Sequence, residues 1–143
     1  MRLSSFKKLL LSYFRPEQNS IFNVHDPHGL KLLARLLLVF SHLKEHKCRH
    51  NFTDSILPLC NCGLLEAETN EHFLLRCPLF SSQGRLLLDN FPTDLSSLSD
   101  SEKTRALLYG HESLTYYANQ ELIKNTIHFL KTSKRFDMPL IGH

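Results

Sequence analysis

The chain has no tryptophan, only 5 glycines in 143 residues, and few β-branched side chains. The shortage of valine, isoleucine and threonine removes the usual strand formers, so the composition leans helical. No Gly-rich phosphate loop, internal repeat or low-complexity tract is present. No apolar run reaches the roughly 20 residues that a helix needs to cross a bilayer. The opening MRLSSFKKLLLSYFRPEQ has an apolar run too short for a secretory core and no small-residue cleavage site, so an intracellular protein, in nucleus or cytoplasm, is expected. Its first sixteen residues are basic and free of acid, as in a mitochondrial presequence, but read more simply as an amphipathic helix. No Ser-His-Asp or paired-carboxylate arrangement stands out, and no catalytic residue is assigned.

Leucine and phenylalanine dominate an apolar content of 42%, enough for one modest core. The expected fold is all-α: a small helical domain with a short irregular Cys3His loop. A single domain over 1–143 is expected, divided as follows. An N-terminal helix covers 1–15, where Leu3, Phe6, Leu9, Leu10, Tyr13 and Phe14 recur at helical spacing and Arg15-Pro16 ends the pattern. A basic helix covers 26–50, started by Asp26-Pro27 and carrying the apolar stretch LLARLLLVF. Residues 58–78 form the Cys/His loop, in which Thr69 or Asn70 can cap a short helix, EHFLLRC. Helices fill 79–131, with Ser99 and Glu102 fitting a capping box, Gly110 ending that helix, and Tyr116, Ile123, Ile127 and Leu130 marking one face of the last. A frayed tail is expected over 132–143.

The most informative run is CNCGLLEAETNEHFLLRCP, which holds Cys60, Cys62, His72 and Cys77. Thiolate sulfur and imidazole nitrogen are the ligands of tetrahedral structural zinc, and Cys3His closes its shell with no position left for substrate. Cys60 and Cys62 can face one ion if the chain folds back at once, and Gly63 suits such a turn. His72 and Cys77 are harder to reconcile. Five residues apart, they lie about 140° apart around an ideal helix. They can meet only if the helix ends there, and Pro78 pushes Cys77 out of the α region. Zn2+ is therefore the expected cofactor, with no small-molecule substrate.

The net charge is +3. From Lys31 to His50, five cations (Lys31, Arg35, Lys44, Lys47 and Arg49) face one acid, Glu45, whereas the loop from Cys60 to Pro78 is acidic. The basic surface thus precedes the cysteine cluster, and the five cations are the candidates for contact with nucleic-acid phosphate. The alternative is a solvated helix end. His42, His46 and His50 align at helical spacing but lack the intervening carboxylate of a H-E-x-x-H site, and read as surface or capping residues. Cys48 reads as a small buried apolar residue. Asp94, Asp100 and Glu102 read as a helix entrance.

The stretch from HDPHGLKLLARLLLVFSHLKEHK through CNCGLLEAETNEHFLLRCPLF closely resembles the C-terminal tail of non-LTR (LINE-type) retrotransposon reverse transcriptases. That tail carries a basic R-L-R-L-G-x-S-H-L segment and then a C-x1-3-C-x7-9-H-x4-C zinc knuckle. Arg35, Ser41, His42, Leu43 and His46 match the basic segment, while Leu37 replaces its second arginine and Val39 its glycine. The knuckle positions fall on Cys60, Cys62, His72 and Cys77. LLYGHESL and NTIHFLKTSKRF resemble the end of those proteins, so the likeness spans roughly 20–137. It implies a non-catalytic tail that holds RNA or DNA during target-primed reverse transcription and contacts the polymerase domain of a parent protein. Nothing resembles the polymerase palm or the endonuclease. Two alternatives are a helical interaction module docking on the polymerase body, through 3–14 and 114–130, and a translated relic.

Overall fold

The structure is a computed structural model that describes residues 25–38, 43–49 and 58–137. Among them 65% are helical and the only pairing of extended chain is an isolated bridge, so the fold is all-α. The helix expected over 1–15, and His42 and His50, lie outside the described residues.

Helix α1 (Pro27–Leu37) begins where the Asp26-Pro27 pair predicts, with the Asp26 carboxylate accepting the Gly29 amide at 3.0 Å. It buries Gly29, Leu32, Leu33, Leu36 and Leu37. Gly29 allows α1 a close approach to the last helix: a Cβ there would lie 2.3 Å from Ile127 Cγ2. The basic helix over 26–50 is not continuous. It stops at Leu37, and a separate short helix, α2, runs Lys44–Arg49. The start of α2 is set by a group far along the chain. The Glu68 carboxylate accepts the Lys44 amide at 2.7 Å and its carbonyl lies 3.4 Å from the Glu45 amide. These two bonds satisfy orphan donors of a new helix start and place a negative group there.

Three further helices complete the fold: α3 (Ser81–Asp89), α4 (Asp100–Tyr109) and α5 (Tyr116–Thr132). The bounds of α4 follow its caps, with Ser99 accepting the Glu102 amide and Gly110 closing the end. Helix α5 is central, with α1, α3 and α4 packed on it. Its Leu122, Ile123, Ile127, Phe129 and Leu130 are all buried, so the apolar face expected to dock on another protein is used by this chain's own core. Thr126 joins α5 to α4 through its hydroxyl, which donates to the Leu107 carbonyl at 2.7 Å.

Phe73, from the cysteine-rich loop, sits at the centre of an aromatic cluster, edge-to-face with Phe80, Phe129 and Phe136 at 5.0–5.4 Å between centroids. The loop is thereby anchored in the core. The tail expected to fray from residue 132 is instead held as far as Asp137. Phe136 is buried, and Arg135 grips Glu68 through two bonds of 2.9 and 2.7 Å. No helix among the described residues is long and apolar enough to cross a membrane.

Candidate metal centre

Two short pieces of backbone bring the four candidate ligands together. The first is a tight hairpin. Leu59 bridges Ala67, the Cys60 amide donates to the Glu66 carbonyl at 2.8 Å, and the Glu68 amide donates to the Pro58 carbonyl at 2.7 Å. The chain reverses between them through Gly63 at φ 92° and Leu65 at φ 58°. Only glycine enters that left-handed region without a steric cost.

The second piece answers the spacing problem at His72 and Cys77. Thr69 caps the segment, its hydroxyl accepting the His72 amide at 3.2 Å. Residues His72–Arg76 then form a π-helical turn, closed by the Cys77 amide donating to the His72 carbonyl at 2.7 Å. A turn closed between residues five apart is wider than an α-turn and brings those two residues onto neighbouring angles. Cys77 itself is extended (φ −71°, ψ 119°), as a residue before proline should be.

The result is one cluster. Sγ of Cys60, Cys62 and Cys77 and a ring nitrogen of His72 all lie within 4.8 Å of one another. The Cys60 and Cys77 sulfurs are 3.7 Å apart, and Cys62 Sγ is 3.4 Å from His72 Nε2. The sulfur pair is far outside the roughly 2.05 Å of a disulfide. Cys60, His72 and Cys77 are buried and Cys62 is partly so. Three thiols and an imidazole converging in a buried site are a donor set for a metal ion. Burial pushes the Cys60 thiol up, and pushes Cys77 up to about 12, with the neighbouring Cys60 adding to the effect. Such sulfurs need a cation to become thiolates.

Around the ligands lies a set of charged groups that the sequence reading passed over. Glu66 accepts from His72 Nδ1 at 3.1 Å and from Arg76 at 2.7 and 2.8 Å. Arg76, and then His72, hold its carboxyl well below the usual range, at about 2. Glu68, 4% exposed, joins the hairpin to α2 and to Arg135. A carboxylate inside the ligand loop was visible as a charge; its partners were not.

The five candidate phosphate contacts divide between two helices. Lys31 is exposed and Arg35 half-buried on α1; Lys44 and Lys47 are half-buried on α2, which Arg49 ends. Lys44 Nζ donates to Asn61 Oδ1, between the first two cysteines, at 2.6 Å. His46 is buried. Cys48, expected to be buried, is half-buried on α2 and lies outside the cluster. The chain matches no family model, no curated protein and no solved structure.

Proposed function

We propose that Cys60, Cys62, His72 and Cys77 hold one structural zinc ion, and that the chain is a non-catalytic nucleic-acid-binding module of the retroelement-tail type its sequence resembles. Two separations within the ligand cluster, whose atoms all lie within 4.8 Å of one another, carry the zinc reading. Sulfurs about 2.3 Å from an ion at the centre of a tetrahedron stand about 3.8 Å apart. The Cys60–Cys77 separation is 3.7 Å, and the shorter 3.4 Å to His72 Nε2 suits the shorter zinc–nitrogen bond. With four protein ligands the shell is full, which favours a structural ion over a catalytic one.

Lys31, Arg35, Lys44, Lys47 and Arg49 are the residues we assign to the phosphate backbone of RNA or DNA. Support for joining metal and binding in one function comes from α2. Its first two amides bond to Glu68, and Lys44 Nζ bonds to Asn61 inside the ligand loop. A helix docked this way depends on the loop keeping its shape. The loop is a scaffold and the basic helices are the grip. A second reading, a protein-interaction module, is favoured by the adjacent Leu64 and Leu65 at the hairpin tip, 48% and 81% exposed.

The test is metal content measured together with binding of single-stranded RNA at several salt concentrations. The expected result is one zinc per chain and an affinity that falls with salt, with a slope of about 0.7 for each phosphate contact on a single strand. Cys62→Ser should lose zinc and weaken RNA binding. Affinity that is absent at low salt, or indifferent to salt, excludes the nucleic-acid reading.

A further inference from the structure

Glu66 stands between two of the ligand segments. Its main-chain carbonyl accepts the amide of Cys60 at 2.8 Å. Its side chain reaches the imidazole of His72, which is 2% exposed. A carboxylate ionised at neutral pH can only accept. The proton between Glu66 Oε1 and His72 therefore sits on Nδ1. Nε2 is left with a bare lone pair, on the side of the ring that faces the sulfurs, 3.4 Å from Cys62 Sγ.

The carboxylate is itself fixed. Arg76 approaches it side-on, Nε to Oε1 at 2.7 Å and Nη2 to Oε2 at 2.8 Å. The guanidinium also lies 3.6 Å from Asp100, the first residue of α4. Arg76 is 44% exposed, and as a surface ion pair it adds little stability. Its significance is direction: a two-bond fork leaves the carboxylate one orientation, and that orientation points its remaining lone pairs at Nδ1.

We propose that Glu66 is a positioning residue that fixes the tautomer and ring angle of His72 for a divalent zinc-type ion, with Arg76 aligning Glu66. The proposal rests on the metal reading above. Without Glu66 the imidazole is free to carry its proton on Nε2, the atom that must donate to the ion. Partners of this kind govern metal affinity by about 10–100-fold.

The experiment uses the full chain, loaded with zinc against a chromophoric chelator and, in parallel, with cobalt for its visible spectrum. Glu66→Ala should weaken zinc 10- to 100-fold while one ion still binds with the same cobalt band, since the four ligands are untouched. Glu66→Gln keeps a carbonyl that accepts from Nδ1–H, and should recover most of the loss. Arg76→Met should fall between the two. Nitrogen-15 spectra of the loaded wild type should show His72 protonated on Nδ1. Wild-type affinity in Glu66→Ala, or a Glu66→Gln variant as weak as Glu66→Ala, would overturn the positioning role. A wild-type chain that takes up no metal removes the zinc reading, and this role with it.

Discussion

Glu68 shows how one side chain can determine the arrangement of three segments. Its carboxylate is 5% exposed, takes both arms of Arg135, and accepts the first amide of α2. Truncating one partner of a buried, forked ion pair leaves the other charge without compensation, at about 3–5 kcal/mol for full burial. Arg135 is 23% exposed, so water relieves part of the penalty. Glu68→Leu is expected to cost about 3 kcal/mol, the low end of that range. Urea denaturation of the single variants and of Glu68→Leu with Arg135→Met checks this, and the double variant should be less destabilised than the sum. A change within experimental error would mean that the pair is ornamental. The four candidate metal ligands could be read from residue type and spacing because a cluster of this kind is local in the chain. The Glu68–Arg135 pair could not: its members are 67 residues apart, and neither has a neighbour that announces the other.

Helix starts with a local cap singled out by the sequence were legible. Asp26-Pro27 and Ser99 cap α1 and α4 through local hydrogen bonds, and Thr115, which the sequence analysis did not single out, caps α5 in the same way. The start of α2 was not legible, because its first two amides bond to Glu68, 24 residues beyond Lys44. The π-turn was hidden for another reason, since ideal α-helical arithmetic keeps His72 and Cys77 apart and only a local widening brings them together. The Asp26 cap yields a pH prediction. Its carboxyl lies below its ordinary 3.8, chiefly through the bond from Lys131 at 2.5 Å and then the Gly29 amide. A carboxyl depressed in the folded state stabilises α1 above pH 3.8, and the contribution is lost as pH falls through the lower folded value. Asp26 followed by NMR should therefore titrate below 3.8, and Lys131→Met should move its midpoint upward. An unchanged midpoint in that variant would remove the Lys131 contribution.

The molecule as a whole is a helical core with an irregular loop inserted into it, and loss of a bound metal ion should affect the two parts differently. Phe73 and Leu74 belong to the core, each 1% exposed, and the ring cluster around Phe73 needs no ion. The hairpin over 58–68 contributes few buried apolar side chains, and its leucines at 59, 64 and 65 are exposed. Its shape depends on two backbone bonds and the convergence of the four candidate ligands. Stripping zinc should therefore act locally first, because regions with few apolar contacts open at the lowest free energy. Hydrogen exchange after chelation is expected to show lost protection across Cys60–Glu68. Protection should also be lost in α2, whose first two amides bond to Glu68, while the amides of α5 stay slow. The boundary should fall within the π-turn, where His72 faces the ion and Phe73 faces the core. Uniform loss through α5 would mean that the ion supports the entire fold, and unchanged exchange in α2 would mean that the basic helix holds its place without the loop.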